Sequence, residues 1–445
     1  MKMKPFVVRS IPRLRGVVSL PGDKSIAHRS IIIAAITDAL TRIENFPANV
    51  DCLLTLRALR KLGIKIKKLQ RRGYRCAVIV KGKGFSGLVK PSSPLLVGDS
   101  GTTLRLLLGV LAGQAFKTKL IAGESLSRRP MLRVTAPLRL MAAKINSRRL
   151  RLEEYPPITI SGGNLKPIIY KMPIASAQVK SAILLAGLYA VGSTRIVEPV
   201  ATRDHTERML KLFKADIQVK RNTIVIKGDK ELVSPKKIYI PGDISSAAFF
   251  IVAATLLPDS QLLIRKVSLN PSRIGIIRVL ERMGADIKVT RSGGHKVTGQ
   301  EPMGDIVVKG SNLRGTVVKK KEIPSLIDEL PILMVAASCA SGRTVFVGVG
   351  ELRVKETDRI RSMSWNLKRM GSQITALKRR GLEHIVIQGQ RQLKAARVRS
   401  FGDHRTAMSL VVAALAAKGK TRIDDVSCIN KSFPNFLELL RTLVP

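Results

Sequence analysis

Acidic residues are scarce in this chain of 445 residues: 31 aspartates and glutamates stand against 78 lysines and arginines, a formal net charge of +47 at pH 7. Aromatic residues are scarce too, at 4 % with a single tryptophan. The charge makes nucleic acid the first partner to consider. However, the aromatic side chains are too few for a platform that stacks single strands, and the basic residues are dispersed along the whole chain. This dispersion favours a basic surface bias over one nucleic-acid groove.

Cysteines and long apolar runs are also in short supply. The four cysteines form no CxxC pair, so we expect reduced thiols in a cytoplasmic protein. The longest apolar run, at 247–257, is shorter than the about 20 residues that span a bilayer, and the basic N-terminus lacks the apolar stretch of a secretory signal. Apolar residues nevertheless make up 45 % of the chain, which is ample for more than one packed core.

Most of the usual signatures of metal and nucleotide sites are absent. The chain contains no P-loop lysine and no GxSxG element, and its GxGxxG match, GKGFSG at 82–87, is a weak signal as a bare pattern. Its histidines show neither HxxH nor HExxH spacing, and no cysteine is near them in sequence. We therefore expect neither a metal nor an organic cofactor. The five histidines are His28, His205, His295, His384 and His404.

A short phrase recurs along the chain: the end of an amphipathic helix, a small residue and a β-type segment. It reads LRKLGIKI at 59–66 and LERMGADI at 280–287, and its last apolar residue before the small one falls at 62, 141, 213, 283, 370 and 443. The spacing, about 74 residues, indicates a repeated supersecondary unit. The sequence therefore predicts six α/β units, the sixth cut off before its strand.

A longer repeat divides the chain into halves. PGDKSIAHRSIIIAAI at 21–36 resembles PGDISSAAFFIVAATL at 241–256. In both segments Pro-Gly ends an extended stretch, and Asp and Ser supply a helix N-cap. We expect an N-terminal-half domain over 22–242 and a discontinuous domain formed by 1–21 and 243–445. The hinges would lie near 21–24 and 240–243.

Several predicted helix starts suit anions, because free backbone N–H groups and the helix dipole favour negative charge there. LPGDKSIAHR and VGDSGTTLR both place small residues, hydroxyls and cations at such starts, although helix capping alone explains the second equally well. In the C-terminal half, Asp328 and Glu329 are most simply partners of a helix dipole, and 351–363 a solvated charge run. Arg405 at a helix start is unfavourable unless an anion lies beside it. Together these features favour a small polyanionic substrate.

Ten sequence elements resemble, in the same order, those of the 5-enolpyruvylshikimate-3-phosphate synthase family, and they cover about residues 10–440. RDHTE at 203–207 and SAQVK at 176–180 are similar to the bacterial subgroup called class II. That subgroup usually has Asn-Pro-Thr-Arg where this chain has NPSR, in which Ser272 keeps the hydroxyl. The ten elements are PGDKSIAHRS, GDSGTTLRLLLG, SRRPM, SAQVKSAILLAG, TRDHTERML, PGDISSAAFF, IDELPIL, RVKETDRI, GDHRTAMSL and KSFPNF.

The resemblance implies a two-domain inverse α/β barrel, each domain built of three βαβαββ units. It implies transfer of the enolpyruvyl group of phosphoenolpyruvate to the 5-hydroxyl of shikimate 3-phosphate, with release of phosphate. This is a step of the shikimate pathway towards chorismate and the aromatic amino acids, and a target of glyphosate. The resemblance also implies a cytoplasmic monomer that acts on small molecules without a cofactor and binds no specific nucleic acid and no membrane.

Site residues follow from the matching positions. For proton transfer the resemblance implies Asp328, Glu356 and Lys24. The residues implied to bind shikimate 3-phosphate are Lys24, Ser25, Arg29, Ser176, Ala177, Gln178, Arg203, Asp328 and Lys355. Those implied to bind phosphoenolpyruvate are Lys24, Gly101, Arg129, Gln178, Arg359, Arg405 and Lys431.

One sister enzyme remains an alternative. It transfers enolpyruvyl to UDP-N-acetylglucosamine and is expected to share the fold. It normally carries a cysteine in a mobile loop that corresponds to residues near 120–131, where this chain reads GESLSRRPM. The RDHTE and GDHR elements also favour the shikimate enzyme.

Overall fold

The computed structural model describes residues 5–70, 76–291 and 299–444. His295, one of the five histidines for which no metal site was predicted, lies outside the described residues. The described α-helices are α1 Lys24–Ala35, α2 Val50–Lys61, α3 Gly101–Ala112, α4 Leu132–Leu140, α5 Ala177–Gly187, α6 His205–Leu212, α7 Ile244–Leu256, α8 Gly275–Arg282, α9 Leu330–Cys339, α10 Arg359–Arg369, α11 His404–Ala416 and α12 Phe436–Arg441. Short 3₁₀ helices cover Leu126–Arg128, Lys320–Ser325, Gly350–Val354 and Ser427–Lys431.

The described strands, in chain order, are β1 Phe6–Arg9, β2 Arg15–Ser19, β3 Leu40–Phe46, β4 Lys65–Gln70, β5 Cys76–Lys81, β6 Leu95–Gly98, β7 Lys117–Ala122, β8 Lys144–Leu150, β9 Glu153–Ser161, β10 Ile169–Lys171, β11 Ser193–Val197, β12 Ile217–Lys220, β13 Thr223–Lys227, β14 Lys237–Tyr239, β15 Gln261–Ser268, β16 Asp286–Arg291, β17 Met303–Lys309, β18 Val317–Val318, β19 Ser341–Val347, β20 Gln373–Arg379, β21 Leu382–Gln390, β22 Arg397–Val398 and β23 Lys420–Ile423.

These strands form six small sheets. Five have four strands, in the orders β14-β3-β5-β4, β6-β7-β9-β8, β10-β11-β13-β12, β2-β15-β17-β16 and β18-β19-β21-β20. In each order the first two strands are parallel, and the last two pairs are antiparallel. The last two strands of each order form a hairpin. In three of the sheets the first two strands also enclose one helix, as in β6-α3-β7-α4-β8-β9, whereas β14 and β2 are distant in sequence from their parallel partners β3 and β15. This is the βαβαββ unit that the family resemblance implied.

The sixth sheet differs because its strands come from both ends of the described chain. Its order is β1-β23-β22, with β1 antiparallel and β22 parallel to β23. In this sheet β1 takes the position that the third strand has in the other five orders, next to β23 and antiparallel to it. The described residues after α12 add no strand. The sixth unit therefore has both of its helices, α11 and α12, but its sheet has one strand fewer than the other five.

The recurring phrase marks the end of each outer helix. The C-cap residues of α2, α4, α6, α8 and α10 are Leu62, Met141, Phe213, Met283 and Met370. The following residue has positive φ in every case, for example +87° at Gly63 and +75° at Ala142. A left-handed residue is a common way to end a helix, and glycine adopts it without a steric penalty. The residue after the last apolar one, small in four copies and Lys214 in the other, is therefore a helix stop that turns the chain into the next strand.

The chain divides into two compact units. The first unit takes in the described parts of Met1–Leu20, Pro241–Gly293 and Pro302–Pro445, and the second takes in Pro21–Ile240 with the described part of Gly294–Glu301. Each unit has its own buried apolar core. The short contribution around Glu301 is one for which the sequence carries no signal.

Each unit buries three of its helices almost completely. They are α1, α3 and α5 in the second unit, and α7, α9 and α11 in the first. Beyond their first turns, which carry polar residues such as Arg29 and Lys180, their sequences are mainly apolar on every side, which is typical of helices surrounded by sheets rather than facing water. None of the described helices is long and apolar enough to cross a membrane.

Part of the charge excess lies on exposed sheet edges. Strands β4, β8, β12, β16 and β20 are each the last strand of a sheet, and all carry exposed lysine or arginine, such as Lys67, Arg149 and Lys378. Charged side chains on an edge strand hinder pairing with the strand of another molecule. These cations thus have a protective explanation that does not involve a polyanion.

Candidate functional site

The three buried helices of the second unit all begin with a side-chain cap. Asp23 accepts the backbone N–H of Ile26 at the start of α1, and Ser100 and Ser176 do the same at the starts of α3 and α5. The predicted residues Lys24, Gly101 and Ala177 are the first residues of these helices. Because hydrogen bonds connect α1 with α5 and α3 with α5 near these starts, three positive helix ends lie in one neighbourhood.

Arg29 is a buried cation in this neighbourhood. Its Nε donates to Thr206 Oγ1 at 2.6 Å, Nη1 to the Ser25 backbone oxygen at 2.8 Å and Nη2 to Ser181 Oγ at 2.7 Å. All three acceptors are neutral. Burial lowers the pKa of Arg29 to about 10, Glu207 opposes that shift, and the charge of Arg203 contributes to it. The structure therefore brings Ser25, Arg29 and Arg203 together.

Gln178 links α5 to α3. Its Oε1 accepts from Arg105 Nη1 at 2.7 Å, and its Nε2 donates to Thr102 Oγ1 at 2.9 Å. Gly101 lies at the same place, since a Cβ added there would approach Arg105 Nη1 to 2.6 Å and Arg129 Nη1 to 3.2 Å. Gly101, Arg129 and Gln178 are thus neighbours, and a side chain on Gly101 would displace the arginine ends.

Lys24 has an acidic partner that sequence reasoning missed. Its Nζ lies 2.5 Å from Asp51 Oδ2, and both side chains are largely buried. Asp51 is near the start of α2, where an acid is an ordinary partner of the helix dipole. Nothing in the local sequence distinguishes it from such a partner, because the pairing crosses 27 positions.

A second set of buried ion pairs, which the sequence did not predict, lies near Arg29. The ammonium of Lys180 is 3.0 Å from Glu198 and 2.7 Å from Glu207, and all three side chains are buried. Burial raises the pKa of Glu207, and Lys180 opposes that shift. Lys180 belongs to the SAQVK element, but its charge is neutralised inside the unit. We assign it a structural role.

The first unit repeats the arrangement of helix starts. Asp403 accepts from the backbone N–H groups of Arg405 and Thr406 at the start of α11, and Asp243 from that of Ser245 at the start of α7. Helix α9 starts directly after Glu329. Ser245 donates a short hydrogen bond to Glu329, which also lies 3.7 Å from Arg405 Nη1. The three helix starts are therefore connected.

Arg359 is the centre of this group. Its Nε donates to Asp403 Oδ2 at 2.8 Å and its Nη2 to Glu356 Oε2 at 2.6 Å. Its Nη1 is buried without a hydrogen bond in the described part of the chain, 3.5 Å from Asp328 Oδ1. Burial alone would lower the pKa of Arg359, but Asp403, Glu356 and Asp328 together raise it above its ordinary value.

Asp328 is surrounded by cations. Its carboxylate oxygens lie 3.5 Å from Arg359, 3.8 Å from Arg405 and 4.0 Å from Lys355. Its backbone oxygen accepts from Arg405 Nη1 at 2.9 Å, which fixes that guanidinium. The structure therefore joins Asp328, Lys355, Arg359 and Arg405, with Glu356 bound to Arg359.

Two further charged residues were not assigned to the site from the sequence. Glu329 is buried between Ser245 and Arg273, whose Nη2 lies 3.5 Å from the carboxylate. Arg273 is the last residue of NPSR, 56 positions from its partner. Long separation leaves no local pattern, so only the fold reveals this pair. Glu329 is accordingly a structural acid within the cluster.

Lys431 is the last residue of the 3₁₀ helix Ser427–Lys431, which packs against α11. Burial raises the pKa of Cys428 to about 11; Asp425 and Asp403 add to the shift, whereas Lys431 opposes it. Cys428 thus lies within electrostatic reach of both Asp403 and Lys431. Among the residues that the structure describes, no group of three His, Cys, Asp or Glu side chains could hold a metal ion.

Comparison with known proteins decides the family. The family model described as EPSP synthase (3-phosphoshikimate 1-carboxyvinyltransferase) matches residues 8–440. The chain belongs to the EPSP synthase family. The 3-phosphoshikimate 1-carboxyvinyltransferase of Desulforamulus reducens is 45 % identical and covers 99 % of both chains. That of Geobacillus kaustophilus is 45 % identical over 98 % of this chain and 99 % of its own.

A solved EPSP synthase has the same fold. The structure of EPSP synthase from Acinetobacter baumannii, 40 % identical, aligns with a TM-score of 0.85 over 99 % of this chain and 98 % of that chain. The resemblance inferred from the ten sequence elements is therefore confirmed, as are the two-domain enolpyruvyl transferase fold and membership of this enzyme family. The roles of individual site residues, and the exact domain boundaries and hinges, stay predictions.

Proposed function

We propose that this EPSP synthase family member joins the enolpyruvyl group of phosphoenolpyruvate to the 5-hydroxyl of shikimate 3-phosphate and releases phosphate. The finer parts of this proposal are that it works as a cytoplasmic monomer and that the two clusters described above contribute to one reaction. Full-length similarity to 3-phosphoshikimate 1-carboxyvinyltransferases supports the activity. The charge and geometry of the clusters support the division of roles below.

Shikimate 3-phosphate carries a carboxylate and a phosphate, and we assign both to the second unit. Ser25 and Arg29 would hold the carboxylate, because three N–H groups of Arg29 are engaged by neutral acceptors and its positive charge remains available to an anion. Ser176, Ala177 and Arg203 would hold the phosphate at the start of α5, where backbone N–H groups favour an anion. Lys355, with Asp328, would contact the hydroxyls.

Phosphoenolpyruvate is the second anion. Lys24, the Gly101 backbone, Arg129 and Lys431 would surround its phosphate, and Gln178 would lie between the two substrates. Arg359 and Arg405 would bind its carboxylate. A planar guanidinium suits a planar carboxylate, and the buried Nη1 of Arg359 has N–H groups that no hydrogen bond within the described chain uses.

The reaction requires two proton transfers. The 5-hydroxyl loses its proton as its oxygen attacks the central carbon of the enol, and the methylene carbon gains a proton. We assign Asp328 to the hydroxyl and Glu356 or Lys24 to the methylene. The tetrahedral intermediate then breaks the bond between carbon and the bridging phosphate oxygen, the methyl group returns its proton, and the enol ether remains.

One observation carries this assignment: the Asp328 carboxylate lies within 4.0 Å of three cations. These cations compensate the negative charge of Asp328, and its carboxylate oxygens are the proton acceptors that the assignment requires. The same cations suit anionic substrates. A general base and an anion-binding group are thus combined at one place.

Phosphate release tests the proposal directly. The purified protein is incubated with phosphoenolpyruvate and either shikimate 3-phosphate or UDP-N-acetylglucosamine, and phosphate is measured over time. We expect release with shikimate 3-phosphate and none with the second acceptor. Release with UDP-N-acetylglucosamine alone would identify the sister activity and overturn the proposal.

A further inference from the structure

Two buried hydroxyls connect Arg29 to the start of α5. Ser181 Oγ lies 2.6 Å from the backbone oxygen of Ala177 and 2.6 Å from Thr206 Oγ1. Arg29 Nη2 lies 2.7 Å from Ser181 Oγ, and Arg29 Nε lies 2.6 Å from Thr206 Oγ1. Both hydroxyl side chains are about 1 % exposed. The four bonds form one closed group inside the second unit.

The direction of these hydrogen bonds follows from the number of donor protons that each group has. A backbone oxygen can only accept, so the Ser181 hydroxyl donates to Ala177. A guanidinium can only donate, so both hydroxyl oxygens accept from Arg29. The Thr206 hydroxyl then has one proton, and Ser181 Oγ is its acceptor. Every hydroxyl proton is used, and Arg29 is held by two oxygens that cannot rotate away without losing a bond.

This group links the two places that we assign to one substrate. Arg29 is the proposed partner of the carboxylate of shikimate 3-phosphate, and Ala177 opens the helix proposed to receive its phosphate. Arg29 uses Nε, one N–H of Nη1 and one N–H of Nη2 for internal bonds. Two of its five N–H groups, one on each terminal nitrogen, are left for a ligand. Their direction depends on the two hydroxyls.

We propose that Ser181 and Thr206 are positioning residues that fix the distance between Arg29 and the start of α5, and so select a ligand whose carboxylate and phosphate have that spacing. This inference rests on the proposed function. Packing alone does not account for the hydroxyls, because alanine or valine would fill the same buried space without a polar group that needs a partner.

The test substitutes the hydroxyls and leaves the shape. Thr206→Val and Ser181→Ala are compared with wild type in steady-state kinetics and in calorimetric binding of shikimate 3-phosphate. We expect the dissociation constant and KM for shikimate 3-phosphate to rise about tenfold or more, which is the usual effect of losing a hydrogen bond to a charged group. The KM for phosphoenolpyruvate should change less than about twofold, since that anion is assigned to other residues.

Three controls separate positioning from stability. Thr206→Ser restores the hydroxyl and should restore wild-type binding. Ser338→Ala removes a matched hydroxyl, which donates to Met334 four residues earlier in α9 and pairs with Ser372, and it should leave both KM values unchanged. In the double variant Ser181→Ala/Thr206→Val, the dissociation constant of shikimate 3-phosphate should be no more than about twice that of the weaker-binding single variant, because both hydroxyls belong to one hydrogen-bonded group.

The outcomes are distinguishable from failure of the proposed function. If wild type releases no phosphate from the two substrates, the proposed function is wrong. If wild type is active and both folded variants bind shikimate 3-phosphate within twofold of wild type, the positioning role is wrong. Equal losses for both substrates would also contradict it, and if Thr206→Val does not fold, the result with Ser181→Ala decides.

Discussion

Arg359 donates from Nε to Asp403 Oδ2 at 2.8 Å, and both side chains are almost completely buried. Each would be costly to bury alone, because an unpaired charge in the interior loses its hydration. Asp403 is also the N-cap of α11. The pair therefore joins the start of α10 to the start of α11 and holds the guanidinium whose Nη1 we assign to a substrate carboxylate.

Removing the carboxylate of this pair should destabilise the protein. Asp403→Asn keeps an oxygen for the helix cap but leaves Arg359 with less compensating charge. We expect the free energy of unfolding, measured with urea, to fall by about 3–5 kcal/mol. Asp358→Asn is the matched control, since Asp358 caps α10 and pairs with Arg353 on a partly exposed surface. That change should cost less than about 1 kcal/mol, and equal losses would contradict the role given to burial.

The same pair predicts an acid dependence. Burial alone would raise the pKa of Asp403, but Arg359 and His404 outweigh burial and lower it. A carboxyl group with a lowered folded-state pKa stabilises the protein above its unfolded pKa of about 4, and the contribution is lost as the pH falls through the folded value. The difference in unfolding free energy between wild type and Asp403→Asn should thus be full at pH 6 to 7 and shrink below about pH 4. A constant difference would be the contrary result.

The acid–base groups are tested by amide substitution. Asp328→Asn and Glu356→Gln should lower kcat by about 10² to 10⁴, the usual contribution of such groups. The dissociation constant of shikimate 3-phosphate should change little, and melting temperatures check folding. Glu281→Gln, an exposed acid on α8, is the control and should keep wild-type kcat. If an amide variant is folded and retains more than about a tenth of the wild-type kcat, the substituted residue is not an acid or base of the reaction.

A methyl group at Gly101 should discriminate between ligands. Its Cβ would lie 2.6 Å from Arg105 Nη1 and 3.2 Å from Arg129 Nη1, so both arginine ends must shift. For Gly101→Ala we expect a higher KM for phosphoenolpyruvate and a larger rise in the inhibition constant of glyphosate, which the family resemblance places in the same site. Gly350→Ala meets only an ordinary contact, 3.8 Å from Glu383, and should change neither. Equal losses for both ligands with Gly101→Ala would refute the prediction.

The fold was predictable where local rules decide it. Asp23, Ser100, Ser176 and Asp403 are capping residues before apolar helices, and the structure has a helix start at each. The recurring helix end followed by a small residue likewise marks a left-handed stop such as Gly63. These features depend on a few consecutive residues, so they are legible in the sequence.

The partners of the site residues were not predictable in the same way. Lys24 with Asp51, Lys180 with Glu198 and Arg273 with Glu329 are each joined across many positions, and each residue alone has an ordinary explanation. The sequence elements predicted which residues belong to the site but not how their charges are compensated. The compensation of these charges depends on which helices have their N-terminal ends close together in the folded protein. That is a property of the tertiary structure.

The central claim is that the bond between carbon and the bridging oxygen of phosphoenolpyruvate breaks, and the most direct measurement follows that oxygen. Phosphoenolpyruvate labelled with ¹⁸O at the bridging position is incubated with the protein and shikimate 3-phosphate, and the products are analysed by mass spectrometry. Attack of the 5-hydroxyl on carbon and expulsion of phosphate should place the label in the released phosphate and none in the organic product. Label retained in pyruvate, with unlabelled phosphate, would show cleavage of the phosphorus–oxygen bond and contradict the account.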